Sequence, residues 1–185
     1  MELNEIKRYI REILAIEFAD RDHEIQVNVG RVKSDMAARG VTISTITLSQ
    51  LAEFFLGEFR ARVDLTANHV IAKIELLGQL QGSDATMQSV ALYAEIAHKQ
   101  FALIDQAYEG SALTILASIQ GNMPAQIREL LTKRMTDYMR KNELTVEFEY
   151  KASAMTDSRK EFLLLRPAFF GIGVDLKALW NTYMK

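Results

Sequence analysis

Apolar side chains recur in steps of three and four along most of the chain, which predicts long α-helices. The stretch that organises the chain runs from residue 47 to 80, and at about 1.5 Å per residue it predicts a helix of roughly 50 Å. Its apolar stripe comprises Leu56, Phe59, Val63, Ala67, Val70, Ile74 and Leu77. A helix of this length cannot bury its stripe alone, so we expect other helices to align beside it.

A first long helix is predicted over residues 3–38. Its stripe comprises Leu3, Ile6, Ile10, Leu14, Phe18, Ile25, Val29, Val32 and Met36. The polar run 20–23 is a possible bend, and the alternation over 25–29 could instead be a short strand. Arg39-Gly40 is a plausible stop, because glycine accepts the left-handed conformation that often follows a helix. Residues 41–47 are rich in β-branched side chains and suggest an extended connection, with Thr47 or Ser49 as the cap of the second helix.

A third helix over about 85–108 has the most regular stripe of the chain. Three-four spacing is kept throughout by Met87, Val90, Ala94, Ala97, Phe101, Ile104 and Tyr108. Such a heptad seam is typical of helices that pack lengthwise on a partner helix. Residues 109–111 are expected to interrupt it before a short helix over 112–119.

A fourth helix is predicted from Pro124 to about Lys141, after which the pattern changes. Apolar and polar positions alternate from Leu144 to Tyr150, a period of two that predicts a β-strand. We predict a second strand over 161–165 and a last helix from Asp175 to about Tyr183.

The resulting fold prediction is mainly α: a long antiparallel helical hairpin or four-helix bundle with a small α+β appendage. We place the elongated bundle at residues 1–142 and the β-hairpin plus C-terminal helix at 143–185. No apolar run approaches the roughly 20 residues of a membrane span, so we expect no membrane association.

Composition removes several kinds of chemistry. The 185 residues include no cysteine, which excludes disulfides, thiolate catalysis and cysteine-bound zinc. A net charge of −2 gives no electrostatic case for a nucleic-acid partner. The acidic start of the chain does not look like a signal peptide, and we expect a cytoplasmic protein.

Arg62 and His69 form the best candidate for catalysis. The six residues between them give a spacing that resembles the Arg-x(4–6)-His motif of helical HEPN ribonucleases. That resemblance implies a dimer whose cleft brings an arginine and a histidine to RNA without a metal. The alternative interpretation is an exposed helix flank on which Glu58 and Arg62 form an i,i+4 ion pair.

Glu95 and His98 have the i,i+3 spacing of one half of a di-iron site in a helical bundle, with Asp105 further along the same helix. The sequence has no second Glu-x-x-His pair. A polar flank beside the seam is the alternative interpretation, and we expect no cofactor.

Two further patterns have a structural alternative. The fourth helix is locally basic, with Arg128, Lys133, Arg134, Arg140 and Lys141. It could contact phosphates or be an ordinary solvated face. Gly171-x-Gly173 lacks the other residues of a nucleotide-binding loop. We therefore interpret it as a tight turn that exposes Phe169 and Phe170.

The function predicted from these patterns is a non-enzymatic helical interaction or assembly module. We expect a homo-oligomer, or a scaffold or adaptor for a protein partner. The predicted interface residues are those of the seam together with Phe169, Phe170 and Trp180. The ribonuclease and a metal-binding bundle are the alternatives.

Overall fold

The computed structural model describes residues 3–73 and 84–156, and these form four long helices. The helices are α1 (Leu3–Ala38), α2 (Thr45–Ala72), α3 (Asp84–Ser118) and α4 (Met123–Thr156). Within those two ranges there is no strand, so the mainly helical fold class is confirmed. The described helices, up to Ala154, belong to one compact unit.

Helices that are adjacent in sequence run antiparallel. Arg62 and His69 on α2 pair with Asp22 and Glu17 on α1 in reverse order. Two pairs of rings in edge-to-face contact join α2 to α3: Phe55 with Tyr108 and Phe59 with Phe101. The predicted antiparallel hairpin of the first two helices is therefore confirmed.

Helix α2 lies at the centre of the unit because all three other helices contact it. Its α1-facing, α3-facing and α4-facing residues lie on successive sides of the helix, for example Glu58, Phe59 and Asp64. The predicted stripe of α2 is buried over the described residues, from Leu56 to Val70. Residues 74–80 of the predicted helix lie outside the described residues.

The turn between α1 and α2 explains where α1 ends and where α2 begins. The backbone N–H of Gly40 donates to the Ala37 carbonyl at 2.9 Å, and that of Val41 donates to the Met36 carbonyl at 3.0 Å. Gly40 has a φ of 71°, so this is the glycine-dependent stop that the sequence predicts. The cap of α2 is Ser44, whose hydroxyl accepts from the Thr47 N–H at 3.2 Å. The prediction of Thr47 or Ser49 as the cap is wrong.

The helices are continuous at two places where the pattern suggested an interruption, at residues 20–29 as an alternative and at 109–111 as a prediction. Helix α1 continues through residues 20–29, and α3 continues through 109–111 to Ser118. A glycine inside a helix costs only about 1 kcal/mol. Burial of Ala112 and Ile115 on the face that follows Tyr108 outweighs that cost.

The predicted strand over 144–150 is wrong, because α4 continues through these residues. The alternating pattern consists of two helical pairs at i,i+4: Val146 and Tyr150 are buried, whereas Leu144 and Phe148 are exposed. No glycine or proline separates them from the preceding helix. The predicted strand over 161–165, the last helix, Phe169, Phe170 and Trp180 lie outside the described residues. Helix α4 crosses residue 142 without a break. The division of the chain into a bundle and an appendage stays a prediction.

Candidate functional site

Among the residues that the structure describes, Arg62 has the largest side chain that is almost fully buried, with an exposed fraction of 1 %. Its guanidinium donates to Glu58 at 2.8 Å, to Gln100 at 2.9 Å and to Asp22 at 2.6 Å. The guanidinium carbon also lies 5.3 Å from the Phe18 ring centroid. This Arg62 cluster joins α1, α2 and α3, and it satisfies a cation that would be very costly to bury alone.

Glu58 links Arg62 to a second arginine. Arg21 donates to both oxygens of the Glu58 carboxylate, at 2.8 and 2.7 Å. Burial raises the pKa of Glu58, but the hydrogen bonds and charges of Arg21 and Arg62 outweigh burial, so the net pKa lies below its ordinary value. The predicted i,i+4 pair of Glu58 and Arg62 is confirmed.

The Nε2 atom of His69, the other predicted catalytic residue, lies 2.9 Å from a Glu17 carboxylate oxygen. His69 makes no hydrogen bond to the Arg62 cluster among the described residues. A ribonuclease site would need the Arg62 guanidinium to reach a phosphate. In this structure the guanidinium is buried and already donates to three acceptors of its own chain. The geometry therefore does not favour Arg62 and His69 as an RNA-cleaving pair.

The two residues of the predicted metal pair, Glu95 and His98, have different surroundings. Glu95 accepts from Arg11 of α1 at 2.8 and 3.2 Å, whereas His98 is exposed on the surface of α3. Across residues 3–73 and 84–156 no group of three or more metal-ligating side chains is assembled. Asp105 pairs with Arg128 at 3.2 Å.

The basic residues of α4 largely pair with carboxylates. Arg128 contacts Asp105 and Glu109, Arg134 contacts Glu53, and Arg140 contacts Glu143. Most of the predicted basic face is therefore neutralised within the chain, and an ordinary paired surface is the better description of it.

A second polar cluster lies between α2 and α4, around Asp64. The Tyr138 hydroxyl donates to Asp64 at 2.9 Å, and the Asn142 amide donates to Asp64 at 2.7 Å. Burial, followed by the hydrogen bond to Asp64 and its charge, raises the pKa of Tyr138 to about 12. Arg60 of α2 lies over the Tyr138 ring, with its guanidinium carbon 5.1 Å from the ring centroid.

The predicted seam of α3 packs mostly inside the chain. Ala97, Ile104 and Tyr108 are buried, Val90, Ala94 and Phe101 are half-buried, and Met87 is 69 % exposed. The seam therefore packs on α2 of its own chain, as Phe101 and Tyr108 show. Of its seven residues, Met87 alone is exposed.

Large exposed apolar side chains also lie on the outward-facing side of α4. Leu130 is 55 % exposed, Leu144 is 48 % exposed and Phe148 is 60 % exposed. Their positions belong to one three-four series, which we call the outer α4 stripe. It comprises Leu130, Arg134, Asp137, Lys141, Leu144 and Phe148. The sequence pattern alone did not indicate this stripe, because the alternation around Leu144 and Phe148 predicts a strand.

A groove of about 60 Å³ between α2 and α4 adjoins this stripe. Leu130 and Arg134 line it, together with the apolar side chains Ala52, Leu56, Ile127 and Leu131. Ile46, at the start of α2, is a further large apolar side chain that is 55 % exposed. Exposed apolar side chains in helical register beside a groove are what a docking helix requires.

The chain matches no protein-family model, no curated protein and no solved structure. None of the four described helices combines the length and apolar character needed to cross a membrane. A functional proposal must therefore come from the chain's own surface.

Proposed function

We propose that this protein is a non-enzymatic helical assembly module that associates through the outer α4 stripe. The observation that carries the proposal is the exposure of Leu130, Leu144 and Phe148 in a single helical register. Large apolar side chains that stand in one row are usual at contacts between helices and unusual on a face that only meets water.

The way α4 is held supports this role. Its inner face is anchored by Leu131, Met135 and Val146 in the core and by Tyr138 and Asn142 on Asp64. A helix fixed in this manner presents its outer side chains on a rigid support, so little conformational entropy is lost when a partner binds.

The first measurement is the absolute mass in solution, by light scattering behind a sizing column over a range of protein concentrations. We expect a dimer or a larger species. Replacing Leu144 and Phe148 together by lysine should lower the mass to that of a monomer, because each copy would then bury two charges in the contact.

Ile16→Lys is the control. Ile16 is 66 % exposed on α1, so the change replaces one exposed apolar side chain by a charged one on a different side of α2. It should leave the mass unchanged. A monomeric wild type at every concentration, or dissociation by Ile16→Lys in place of the α4 variant, would contradict the proposal.

A further inference from the structure

We propose that the partner of the outer α4 stripe is a second copy of this chain, packed antiparallel about a two-fold axis near Met139. The inference rests on the proposed function and adds the identity of the partner, its direction and its register. It follows from the order of residues along the stripe and from the groove beside it.

The order of side chains along the stripe is compatible with an antiparallel pair. The six positions of the stripe are separated alternately by four and three residues, as in a coiled-coil seam. When two copies align antiparallel about Met139, each stripe residue faces the one that is equally far from the axis on the other copy. The facing pairs are Leu130 with Phe148, Arg134 with Leu144, and Asp137 with Lys141.

Charge complementarity at the centre supports this register. Asp137 and Lys141 are both exposed, and no ion pair within residues 3–73 and 84–156 uses either of them. The Lys141 ammonium lies 5.6 Å from the Tyr138 ring centroid and not on the Asp137 carboxylate one turn away. Two-fold symmetry would form the Asp137–Lys141 contact twice.

The same charges argue against a parallel pair. In a parallel arrangement of the same stripe, Asp137 would face Asp137 and Lys141 would face Lys141. Like charges in direct apposition oppose association. The central residues therefore disfavour the parallel pair and also favour the antiparallel one.

The ends of the stripe supply the apolar contacts. Leu130 lies at the α2–α4 groove, whose other lining side chains include Ala52, Leu56 and Ile127. In the antiparallel register Phe148 of the second copy arrives beside Leu130, where the ring can contact the apolar side chains of the groove next to the ion pair of Glu53 and Arg134. A ring inserted into a preformed groove is a common anchor of protein interfaces.

The facing pair between the centre and the ends of the stripe, Arg134 with Leu144, fits the same register. Arg134 is held by its ion pair with Glu53, which directs its charged end toward α2 of its own chain. Its aliphatic stem can then cover Leu144 of the second copy without the burial of an unpaired charge.

Cysteine cross-linking tests direction and register, and the natural chain contains no cysteine to interfere. The double variant L130C/F148C should give a covalent dimer with a short bis-maleimide in dilute solution. Leu130 and Phe148 are about 27 Å apart along one helix, so the reagent cannot join them within a chain. The single variants L130C and F148C should not cross-link, because like positions lie far apart in this register.

Charge exchange provides a second, independent readout of the dimer dissociation constant. D137K and K141D should each raise the constant about tenfold or more, since each creates two repulsive contacts per dimer. The double variant D137K/K141D restores opposite charges and should return to within about threefold of the wild type. Both positions are exposed, and circular dichroism checks that the variants keep their helices.

The outcomes separate this inference from the proposed function. A wild-type monomer overturns both. A dimer in which L130C cross-links to itself, or in which the double charge variant binds no better than the single ones, overturns the antiparallel register alone. A dimer with cross-linking in L130C/F148C and recovery in the double charge variant supports both.

Discussion

The two polar clusters of the unit lie on different sides of α2 and solve the burial of charge in different ways. On the side of α1, buried Arg62 is surrounded by two carboxylates, an amide and an aromatic ring. On the side of α4, Asp64 accepts hydrogen bonds from the neutral groups of Tyr138 and Asn142. The first cluster depends on opposite charges, and the second depends on neutral donors around a single charge.

This difference shows how α1 and α4 are each held against α2. Helix α1 contributes Arg21 and Asp22 to an alternating chain of charges, so its docking is sensitive to any change in charge within that chain. At Asp64, α4 contributes a phenol and an amide, so this contact does not depend on a charge carried by α4. Elsewhere α4 is held by ion pairs, Arg128 with Asp105 and Arg134 with Glu53.

The largest expected effect comes from Arg62→Ala. The change leaves the largely buried Glu58 and Gln100 without one of their partners and opens a cavity, so we expect a loss of about 3 kcal/mol in the free energy of unfolding. Chemical denaturation followed by circular dichroism measures it.

Arg60→Ala is the matched control, two residues away on α2. It removes a cation over the Tyr138 ring and should cost about 1 kcal/mol or less. If the two variants lose the same stability, the contrast between the clusters has no energetic basis.

An intermediate effect is expected on the acid side of the stability profile. The folded-state pKa of Glu58 lies below its ordinary value of 4.5, so the unfolded state takes up the proton first as the pH falls. The stability that Glu58 contributes is present above pH 4.5 and is lost as the pH falls through its folded-state pKa. Glu58→Gln should therefore be less stable at pH 7 and should lose less stability between pH 5 and 3.

Glu95→Gln is the control for that profile. The hydrogen bond and charge of Arg11 also lower the pKa of Glu95, against a small opposing effect of burial. Because both side chains are exposed, water screens the pair, and the variant should change the profile little. If the free energy of unfolding fell in parallel with pH for the wild type and Glu58→Gln, the stable burial of Arg62 would not depend on the charge of Glu58.

The smallest effect is expected at alkaline pH, on the side of α4. The pKa of Tyr138 is raised to about 12 from 10.0, so its contribution to stability is present below pH 10 and is lost as the pH rises toward 12. Tyr138→Phe should cost about 1 kcal/mol at pH 7, because Asp64 keeps Asn142 as a donor. Its unfolding free energy should also fall less steeply above pH 10, whereas an unchanged alkaline slope would argue against the Asp64 cluster as the anchor of α4.

The comparison of sequence and structure is most instructive over residues 144–150. Alternation of apolar residues predicted a strand, yet the same positions form two i,i+4 pairs on opposite faces of α4. Positions four residues apart share a face in a strand and in a helix, so the local pattern over so short a run does not separate the two. Helix α4 continues through these residues, which leaves Leu144 and Phe148 exposed as candidate interface residues.

The seam of α3 shows a different limit. Its three-four spacing correctly indicated that the helix packs lengthwise on another helix, and Phe101 and Tyr108 do so. Spacing does not state whether the partner belongs to the same chain. The contacts place α2 of the same chain against most of the seam, which leaves the outer face of α4 as the candidate for a contact between chains.

By itself the sequence determined the helical fold class, most of the inward stripes, the stop at Gly40 and the i,i+4 pair of Glu58 and Arg62. These follow from local periodicity and backbone conformation, which a linear pattern encodes directly. Only the tertiary structure decided that Arg62 is buried, that Asp22 and Gln100 complete its partners, and that Leu130 and Phe148 stay exposed. Burial and partnership arise between residues far apart in the chain, and they depend on which faces meet when the helices pack.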